Sequence, residues 1–271
     1  IDPGTYTLFL PEILTGAGGL LLTLLAPWGQ ASDRRRQNLS TAIAVLVLSG
    51  ALLALFFTGW NSEIQRQGPS MFAADGFSRL FRALFLLVSL LTVLSSRTFL
   101  LAEGLRSAEF HALILFSYLG MALMAGSRDL LLTFLGLEIV SVGSYILLGL
   151  RRSDLRSHEA AWKYFLLGSA SSAIFLYGIA MIYGAVGSTA YQEVYSHLVL
   201  SFHSPLSLMN GGLTLFFIGL AFKLALVPFH AWTADVYEGS PTLIAGFLST
   251  GPKAAAMAAL LRFFFLYTIP Q

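Results

Sequence analysis

Residues 207–231 read SLMNGGLTLFFIGLAFKLALVPFHA, an apolar stretch in which Lys223 is the single Lys, Arg, Asp or Glu residue. A helix of about 20 apolar residues crosses the ~30 Å hydrocarbon core of a bilayer, so this stretch is long enough to span a membrane. Further stretches of similar length and character occur on both sides of it. We predict eight transmembrane helices, at 9–27, 39–59, 76–96, 109–126, 129–150, 159–184, 207–231 and 242–266. None shows the strict alternation of a β-barrel strand, so the predicted fold is an all-α polytopic helical bundle.

The composition of the 271-residue chain agrees with this fold: 56% of residues are hydrophobic, 11% are charged, and the mean hydropathy is +0.74. A soluble domain is about 25% charged, so this chain has too few polar residues to cover a water-facing surface. The net charge of +2 gives no reason to expect a nucleic-acid partner. With no cysteine, these residues form no disulfide, thiolate zinc site or cysteine-ligated iron–sulfur cluster. No basic segment precedes the first apolar stretch, so we expect no cleaved signal peptide.

Arginine and lysine are distributed differently along the chain. Lys163, Lys223 and Lys253 are the only lysines among the 16 basic residues, and the rest are arginines. Arginines concentrate in alternate connections between the predicted spans, at positions 34–36, 97, 106, 151, 152 and 156. The positive-inside rule predicts that these connections face the cytoplasm and that the N-terminus lies outside.

Glu138, Lys223 and Lys253 lie near the centres of predicted spans. A charge at that depth costs about 2.5–3.5 kcal/mol on the insertion scale, and such residues usually face the bundle interior and mark ion or proton paths. We therefore predict that they transfer protons. The alternative is a static Glu–Lys pair that only fixes the helix register. Lys163 is closer to a span end, where a lysine reaches the interface easily, so a functional and a structural role are both open for it.

Pro228 and Pro252 lie close to two of these lysines. A proline removes a helical N–H and frees the carbonyl four residues earlier, so we predict that both helices are broken there. Transporters place ion sites at such breaks. His230 would share a helical face with Lys223 if the kink is mild, and its imidazole suits proton exchange. The alternative is a histidine that binds freed carbonyls.

Four motifs resemble a known family. They are Phe134–Glu138 (FLGLE), Glu159–Gly168 (EAAWKYFLLG), Gly219–Pro241 (GLAFKLALVPFHAWTADVYEGSP) and Phe247–Lys253 (FLSTGPK). In this order, from about residue 109 to 266, they resemble the antiporter-like subunit N family of respiratory complex I, the NADH:quinone oxidoreductase. The DVYEGSP stretch at 235–241 favours subunit N over its paralogues and over the multisubunit sodium/proton antiporters. Residues 1–108 match mainly in helix count and placement.

The resemblance implies a role for each candidate residue. Glu138 resembles the glutamate of the first proton half-channel, and Lys223 resembles the lysine on the broken helix. Lys253 resembles the central lysine that passes protons onward, His230 resembles a connecting residue, and Lys163 lies where the family has a further lysine. The family fold has two inverted-repeat halves, so we expect part of a longer chain: three N-terminal helices at 1–108 and the first antiporter-like half at 109–271.

The predicted function is therefore that of a proton-translocating membrane-arm subunit, driven by quinone reduction elsewhere in the complex. The resemblance implies flavin, iron–sulfur clusters and quinone in partner subunits, and no cofactor or metal in this chain. Its expected partners are paralogous antiporter-like subunits, small membrane subunits, the lipid bilayer and protons. We expect the bacterial plasma membrane, with the thylakoid membrane as the alternative.

Two other functions stay open. The first is a subunit of a multisubunit sodium/proton antiporter, which would show sodium-dependent exchange. The second is a non-transporting membrane scaffold subunit, whose charges would form static pairs.

Overall fold

The structure is a computed structural model that describes residues 7–28, 34–58, 71–151, 153–200 and 207–265. Within these ranges the chain forms ten α-helices, a 3-10 turn at Ala26–Trp28, and isolated β-bridges only. The helices are α1 (Leu10–Leu25), α2 (Arg34–Thr58), α3 (Gly76–Ala102), α4 (Ser107–Gly126), α5 (Leu130–Leu148), α6 (Leu155–Val186), α7 (Tyr191–Leu200), α8 (Ser207–Leu224), α9 (Trp232–Gly239) and α10 (Thr242–Phe265).

The observed helices confirm the predicted all-α membrane fold. Helices α2 to α6 and α10 are long and apolar enough to cross a bilayer, while α1 and α8 are apolar but shorter. These eight helices coincide with the eight predicted spans. The short helices α7 and α9 were not predicted.

Helix α4 is the centre of the bundle. It packs against α1, α2, α3, α5 and α10. The approach to α5 is backbone to backbone, because a Cβ at Gly120 would lie 2.6 Å from the carbonyl oxygen of Gly136. Glycines at such a crossing let two membrane helices pack closely.

The division of the chain at residue 108 stays a prediction.

Helix α6 organises the second group of helices. It packs most extensively against α8 and also contacts α5 and α9. The connections before α4 and before α6 meet at one end of the bundle, where Arg151 forms an ion pair with Glu103. We call this end, which carries most of the arginines, the arginine end.

Only one of the two prolines, Pro228, follows a helix break. Helix α8 ends at Leu224, four residues before Pro228, whereas α10 continues through Pro252. The predicted break at Pro252 is therefore wrong. In the turn before this proline, Thr250 Oγ1 donates to the carbonyl oxygens of Gly246 and Phe247 at 2.9 and 3.2 Å. Side-chain hydroxyls of this kind help a membrane helix to accommodate a proline.

Candidate functional site

Lys223 lies in the last turn of α8, where the helix stops inside the bundle. Ala225 follows with a left-handed φ of 57°, and its N–H binds the Phe222 carbonyl at 3.0 Å. The Leu226 N–H binds the Ala221 carbonyl at 2.9 Å. These two bonds form a Schellman motif, with alanine where glycine is usual. The backbone of the helix therefore caps its own end and fixes the position of Lys223.

Neutral hydroxyls from two other helices surround the Lys223 ammonium. Its Nζ donates to Ser141 Oγ of α5 at 3.1 Å and to Tyr164 OH of α6 at 2.9 Å. Lys223 is only 5% exposed, and its Nζ lies 5.2 Å from the centroid of the Tyr164 ring. An ammonium has three donors, so these hydroxyls satisfy two of them. Lys223 is thus held in the bundle interior by neutral partners, and no described carboxylate forms an ion pair with its ammonium.

Glu138 lies on α5, three residues before Ser141, and it is partly buried. The hydroxyl of Ser172 on α6 donates a hydrogen bond to Glu138 Oε1. Residues three apart on a helix share a face, so α5 directs Glu138 and the hydroxyl partner of Lys223 to the same side. Glu138 and Ser141, the partner of Lys223, thus lie on neighbouring turns of α5, and the described partners of Glu138 and Lys223 are hydroxyls.

Trp232, the first residue of α9, packs on Tyr164, which binds Lys223, and on Phe222, which precedes Lys223. Its ring stacks on the rings of Tyr164 and Phe222, with centroids 4.7 and 5.4 Å away. Its indole N–H donates to the Phe222 carbonyl at 3.0 Å, which adds a second donor to a carbonyl at the end of α8. The indole therefore binds the end of α8 and holds the Tyr164 ring beside it.

Lys253 lies in α10 on the other side of an aromatic row. Its Nζ is 5.2 Å from the centroid of the Tyr237 ring of α9, and that ring contacts Trp232 with centroids 6.4 Å apart. The row from one lysine to the other is thus Tyr164, Trp232 and Tyr237. The Tyr237 hydroxyl is buried and has no hydrogen-bond partner among the described residues. A buried hydroxyl normally binds a partner, so its position suits an ordered water between the lysines.

Lys163 lies outside this buried site. It is 43% exposed, and its Nζ forms ion pairs with Glu159 Oε1 at 2.8 Å and Asp235 Oδ2 at 3.0 Å. The second pair ties α6 to α9 at the surface. A role for Lys163 in proton transfer stays a prediction.

His230 lies in the connection between α8 and α9, and it is exposed. Because α8 ends at Leu224, the prediction that His230 shares a helical face with Lys223 is wrong. The His230 carbonyl accepts hydrogen bonds from the N–H and the hydroxyl of Thr233 at 3.0 and 2.6 Å. The described contacts of this residue thus organise the start of α9 through its backbone.

The sequence interpretation missed a buried ion pair between α1 and α3. Arg82 Nε and Nη2 donate to the Glu12 carboxylate at 2.8 and 2.5 Å, and Nη2 also donates to the Leu8 carbonyl at 2.9 Å. The Tyr118 hydroxyl of α4 donates to the same carboxylate at 3.3 Å. Arg82 and Glu12 are 3% and 5% exposed. Span 9–27 contains one charge, Glu12, and span 76–96 contains two, Arg79 and Arg82, but all three lie near span ends, so the sequence did not mark the pair.

A second missed pair joins α10 to the start of α3. Arg262 donates from Nη1 and Nη2 to Asp75 at 2.9 and 2.7 Å, and from Nε to the Ala125 carbonyl at 2.6 Å. Asp75 also caps α3 by accepting from the Ser78 N–H at 2.8 Å. Burial favours a raised pKa for Asp75, but the hydrogen bonds and positive charge of Arg262, with the Ser78 N–H, outweigh it and hold the pKa below its usual value.

Together these features define a class of protein. The chain is a polytopic helical membrane protein that holds a buried lysine at a helix break, bound to a serine one turn from a glutamate on a second helix. In the part of the chain that the structure describes, no three His, Asp or Glu side chains are grouped as metal ligands. Residues 127–271 match the family described as NADH:quinone oxidoreductase/Mrp antiporter, TM, and the chain belongs to this family.

Individual relatives sharpen the comparison. NADH-quinone oxidoreductase subunit N 1 of Solibacter usitatus is 42% identical over 261 residues, which are 94% of this chain and 51% of that protein. A chain in respiratory complex I from Thermus thermophilus with bound aureothin is 38% identical with a TM-score of 0.75, over 93% of this chain and 52% of that chain. A chain in the Mrp complex from Dietzia sp. DQ12-45-1b shares the fold, with a TM-score of 0.74 and 24% identity over 94% of this chain and 48% of that chain.

The chain thus spans about half the length of the relatives it matches. The predicted resemblance to the subunit N family is confirmed.

Proposed function

We propose that this chain is a proton-translocating membrane-arm subunit of an NADH:quinone oxidoreductase. The observation that carries the proposal is the position of Lys223: it is buried at a helix break and binds the hydroxyls of Tyr164 and Ser141. Ser141 lies one turn of α5 from Glu138. The relatives support an oxidoreductase rather than a sodium/proton antiporter, because identity is 42% and 38% to subunit N of Solibacter usitatus and a chain of Thermus complex I but 24% to the Mrp chain.

In the proposed mechanism, Glu138 controls whether Lys223 holds its proton. A carboxylate that approaches a buried ammonium favours the charged form, and one that withdraws favours release of the proton. At an effective dielectric constant of about 20, two unit charges attract by ~4 kcal/mol at 4 Å and by ~2 kcal/mol at 8 Å. Moving a proton against 100 mV requires ~2.3 kcal/mol. A carboxylate shift of a few ångströms therefore supplies an energy of the required size.

The proton released from Lys223 passes towards Lys253. Tyr164 OH already accepts a hydrogen bond from Lys223. At the far end of the aromatic row, the Tyr237 hydroxyl has no partner among the described residues, and Lys253 faces the Tyr237 ring. Water at the Tyr237 hydroxyl would join the two ends, because Trp232 between them contributes a donor but no acceptor. In this path His230 acts at the exposed side of the break.

The remaining parts of the proposal concern the assembly. Electron transfer takes place in partner subunits that hold the flavin, the iron–sulfur clusters and the quinone, and this chain holds no redox centre. Paralogous antiporter-like subunits and small membrane subunits are its neighbours. The arginine end faces the cytoplasm of a bacterial plasma membrane, and the N-terminus lies outside.

The test compares Glu138→Gln and Lys223→Ala in the assembled oxidoreductase. Membrane vesicles are supplied with NADH, and protons taken up are measured per NADH oxidised. We expect assembled complexes in which both substitutions sharply lower this ratio. Arg97→Ala is the control, since it removes an exposed cation outside the site and should leave the ratio unchanged. A normal ratio in both buried variants contradicts the proposal, and proton movement that requires sodium favours the antiporter.

A further inference from the structure

Helix α6 carries two hydroxyls that bind the two charges of the candidate site. Tyr164 OH accepts a hydrogen bond from Lys223 Nζ at 2.9 Å, and Ser172 Oγ donates one to Glu138 Oε1. Tyr164, Gly168 and Ser172 follow each other at intervals of four residues, so they share one face of the helix. At 1.5 Å per residue, the two hydroxyl-bearing residues are ~12 Å apart along the helix axis. The same helix therefore holds the ammonium and the carboxylate at points two turns apart.

The two serines of the site are oriented to suit opposite charges. Ser141 Oγ of α5 donates its hydrogen to the Leu137 carbonyl at 2.7 Å, which leaves its lone pairs free to accept from Lys223 Nζ at 3.1 Å. The hydroxyl of Ser172 does the opposite, because it donates to the Glu138 carboxylate. One serine therefore acts as an acceptor for the cation, and the other acts as a donor to the anion.

The hydrogen bond of Ser172 differs from that of its neighbour on α6. Serines within helices often donate to a carbonyl of the preceding turn, and Ser169 does so to the Leu166 carbonyl at 3.1 Å. Ser172 instead donates across to α5. A hydrogen bond to a carboxylate is charge-assisted and roughly twice as strong as one between neutral groups. The charge of Glu138 thus accounts for the direction in which the Ser172 hydroxyl points.

A glycine of α6 allows this contact between the two helices. A Cβ at Gly168 would collide with the hydroxyl of Tyr145, so this tyrosine of α5 lies against the backbone of α6. The Tyr145 ring also contacts the ring of Tyr164, with centroids 4.9 Å apart. Small residues let membrane helices approach closely, and here the approach brings Ser172 within hydrogen-bond distance of Glu138.

We propose that Ser172 is a positioning residue that holds the Glu138 carboxylate in its withdrawn position, away from Lys223. This inference rests on the proposed function, in which a withdrawn carboxylate favours release of the lysine proton. A partly buried carboxylate that loses its donor needs another partner, and Lys223 lies within electrostatic range of Glu138. Without the Ser172 hydroxyl the carboxylate pairs with the ammonium, the proton stays on Lys223, and transfer stops at this step.

Two variants of nearly identical shape isolate the hydroxyl. Ser172→Val and Ser172→Thr add similar volume, but only threonine keeps a donor for Glu138. The control is Ser169→Ala, at an exposed serine of the same helix. The measurement is the number of protons translocated per NADH oxidised by the assembled oxidoreductase. We expect Ser172→Val to lower this ratio towards that of Glu138→Gln, while Ser172→Thr and Ser169→Ala keep the wild-type ratio.

Infrared spectroscopy of the detergent-extracted full-length chain reports the position of the carboxylate directly. Subtracting the spectrum of the same chain with Glu138→Gln isolates the Glu138 band, whose frequency differs between a hydroxyl-bound and an ammonium-paired carboxylate. We expect the hydroxyl-bound form to decrease about tenfold or more relative to the paired form in Ser172→Val, because a charge-assisted hydrogen bond is lost. Adding Lys223→Ala to Ser172→Val should remove the band of the paired form.

The inference is overturned if Ser172→Val has the same ratio and the same Glu138 band as Ser172→Thr. If both variants lower the amount of assembled complex, the infrared comparison of valine with threonine on the extracted chain still decides. A normal ratio in both Glu138→Gln and Lys223→Ala contradicts the proposed function itself. A low ratio in those two variants, with no difference between Ser172→Val and Ser172→Thr, overturns only the role of Ser172, so the two failures are distinguishable.

Discussion

Replacing Arg82 by leucine should destabilise the chain far more than replacing the whole Arg82–Glu12 pair. The two side chains are almost completely buried and share two hydrogen bonds. Arg82→Leu leaves the Glu12 carboxylate with only the Tyr118 hydroxyl at 3.3 Å. Stranding one charge of a buried pair costs about 3–5 kcal/mol. In the Glu12→Leu/Arg82→Leu double variant no charge is stranded, and the remaining cost is about 1–3 kcal/mol for the Leu8 carbonyl that loses its donor.

The assay is reversible unfolding of the detergent-solubilised full-length chain, followed by helical circular dichroism. A double-mutant cycle of the wild type, both single variants and the double variant isolates the coupling between the two residues. We expect each single variant to be less stable than the double variant. The reasoning is refuted if Arg82→Leu unfolds no more easily than the double variant, because the carboxylate would then not depend on the arginine.

Three smaller predictions concern other parts of the fold. The pKa of Asp75 is held below its usual value of 3.8, so the ionised carboxylate stabilises the folded chain above that pH. This contribution is lost as the pH falls through the lower pKa of the folded state. The temperature of thermal unfolding should therefore depend less on pH in this range for Asp75→Asn than for the wild type. Ala225→Gly should stabilise the chain by up to about 1 kcal/mol in the same unfolding assay, because alanine has a φ of 57° there and glycine adopts this conformation without strain. Gly136→Ala should lower the free energy of unfolding by about 1–3 kcal/mol, since the new Cβ would lie 2.7 Å from a backbone oxygen of α4. Gly50→Ala is the control: no atom lies within 4 Å of its Cβ, so the free energy of unfolding should stay the same or rise.

The sequence correctly singled out Lys223 as a charge for the bundle interior, but it did not predict what Lys223 touches. Hydrophobic length alone places Glu138 and Lys223 far from the span ends. The partners of Lys223 lie 82 and 59 residues away in the chain, at Ser141 and Tyr164. Serine and tyrosine are common in apolar helices, so nothing in their local sequence marks these two. Such contacts depend on which helices pack together, and hydropathy carries no information about that.

The helix break shows a different limit. Proline chemistry correctly predicted an interruption after Lys223 but placed it at Pro228. The helix ends earlier because Ala225 adopts a left-handed conformation, which the sequence does not suggest for alanine. The same rule failed for Pro252, where α10 continues. A proline removes one hydrogen bond, and the surrounding packing decides whether the helix ends there.

The central claim is that Lys223 gives up and regains a proton, and Lys223→Arg tests it most directly. Arginine keeps the positive charge but remains protonated in proteins, whereas lysine can lose its proton when buried. The measurement is the number of protons translocated per NADH oxidised by the assembled oxidoreductase, with the amount of assembled complex determined in the same membranes. We expect normal assembly and a ratio as low as that of Lys223→Ala. An unchanged ratio would mean that a fixed positive charge is sufficient at this position and that Lys223 need not release its proton.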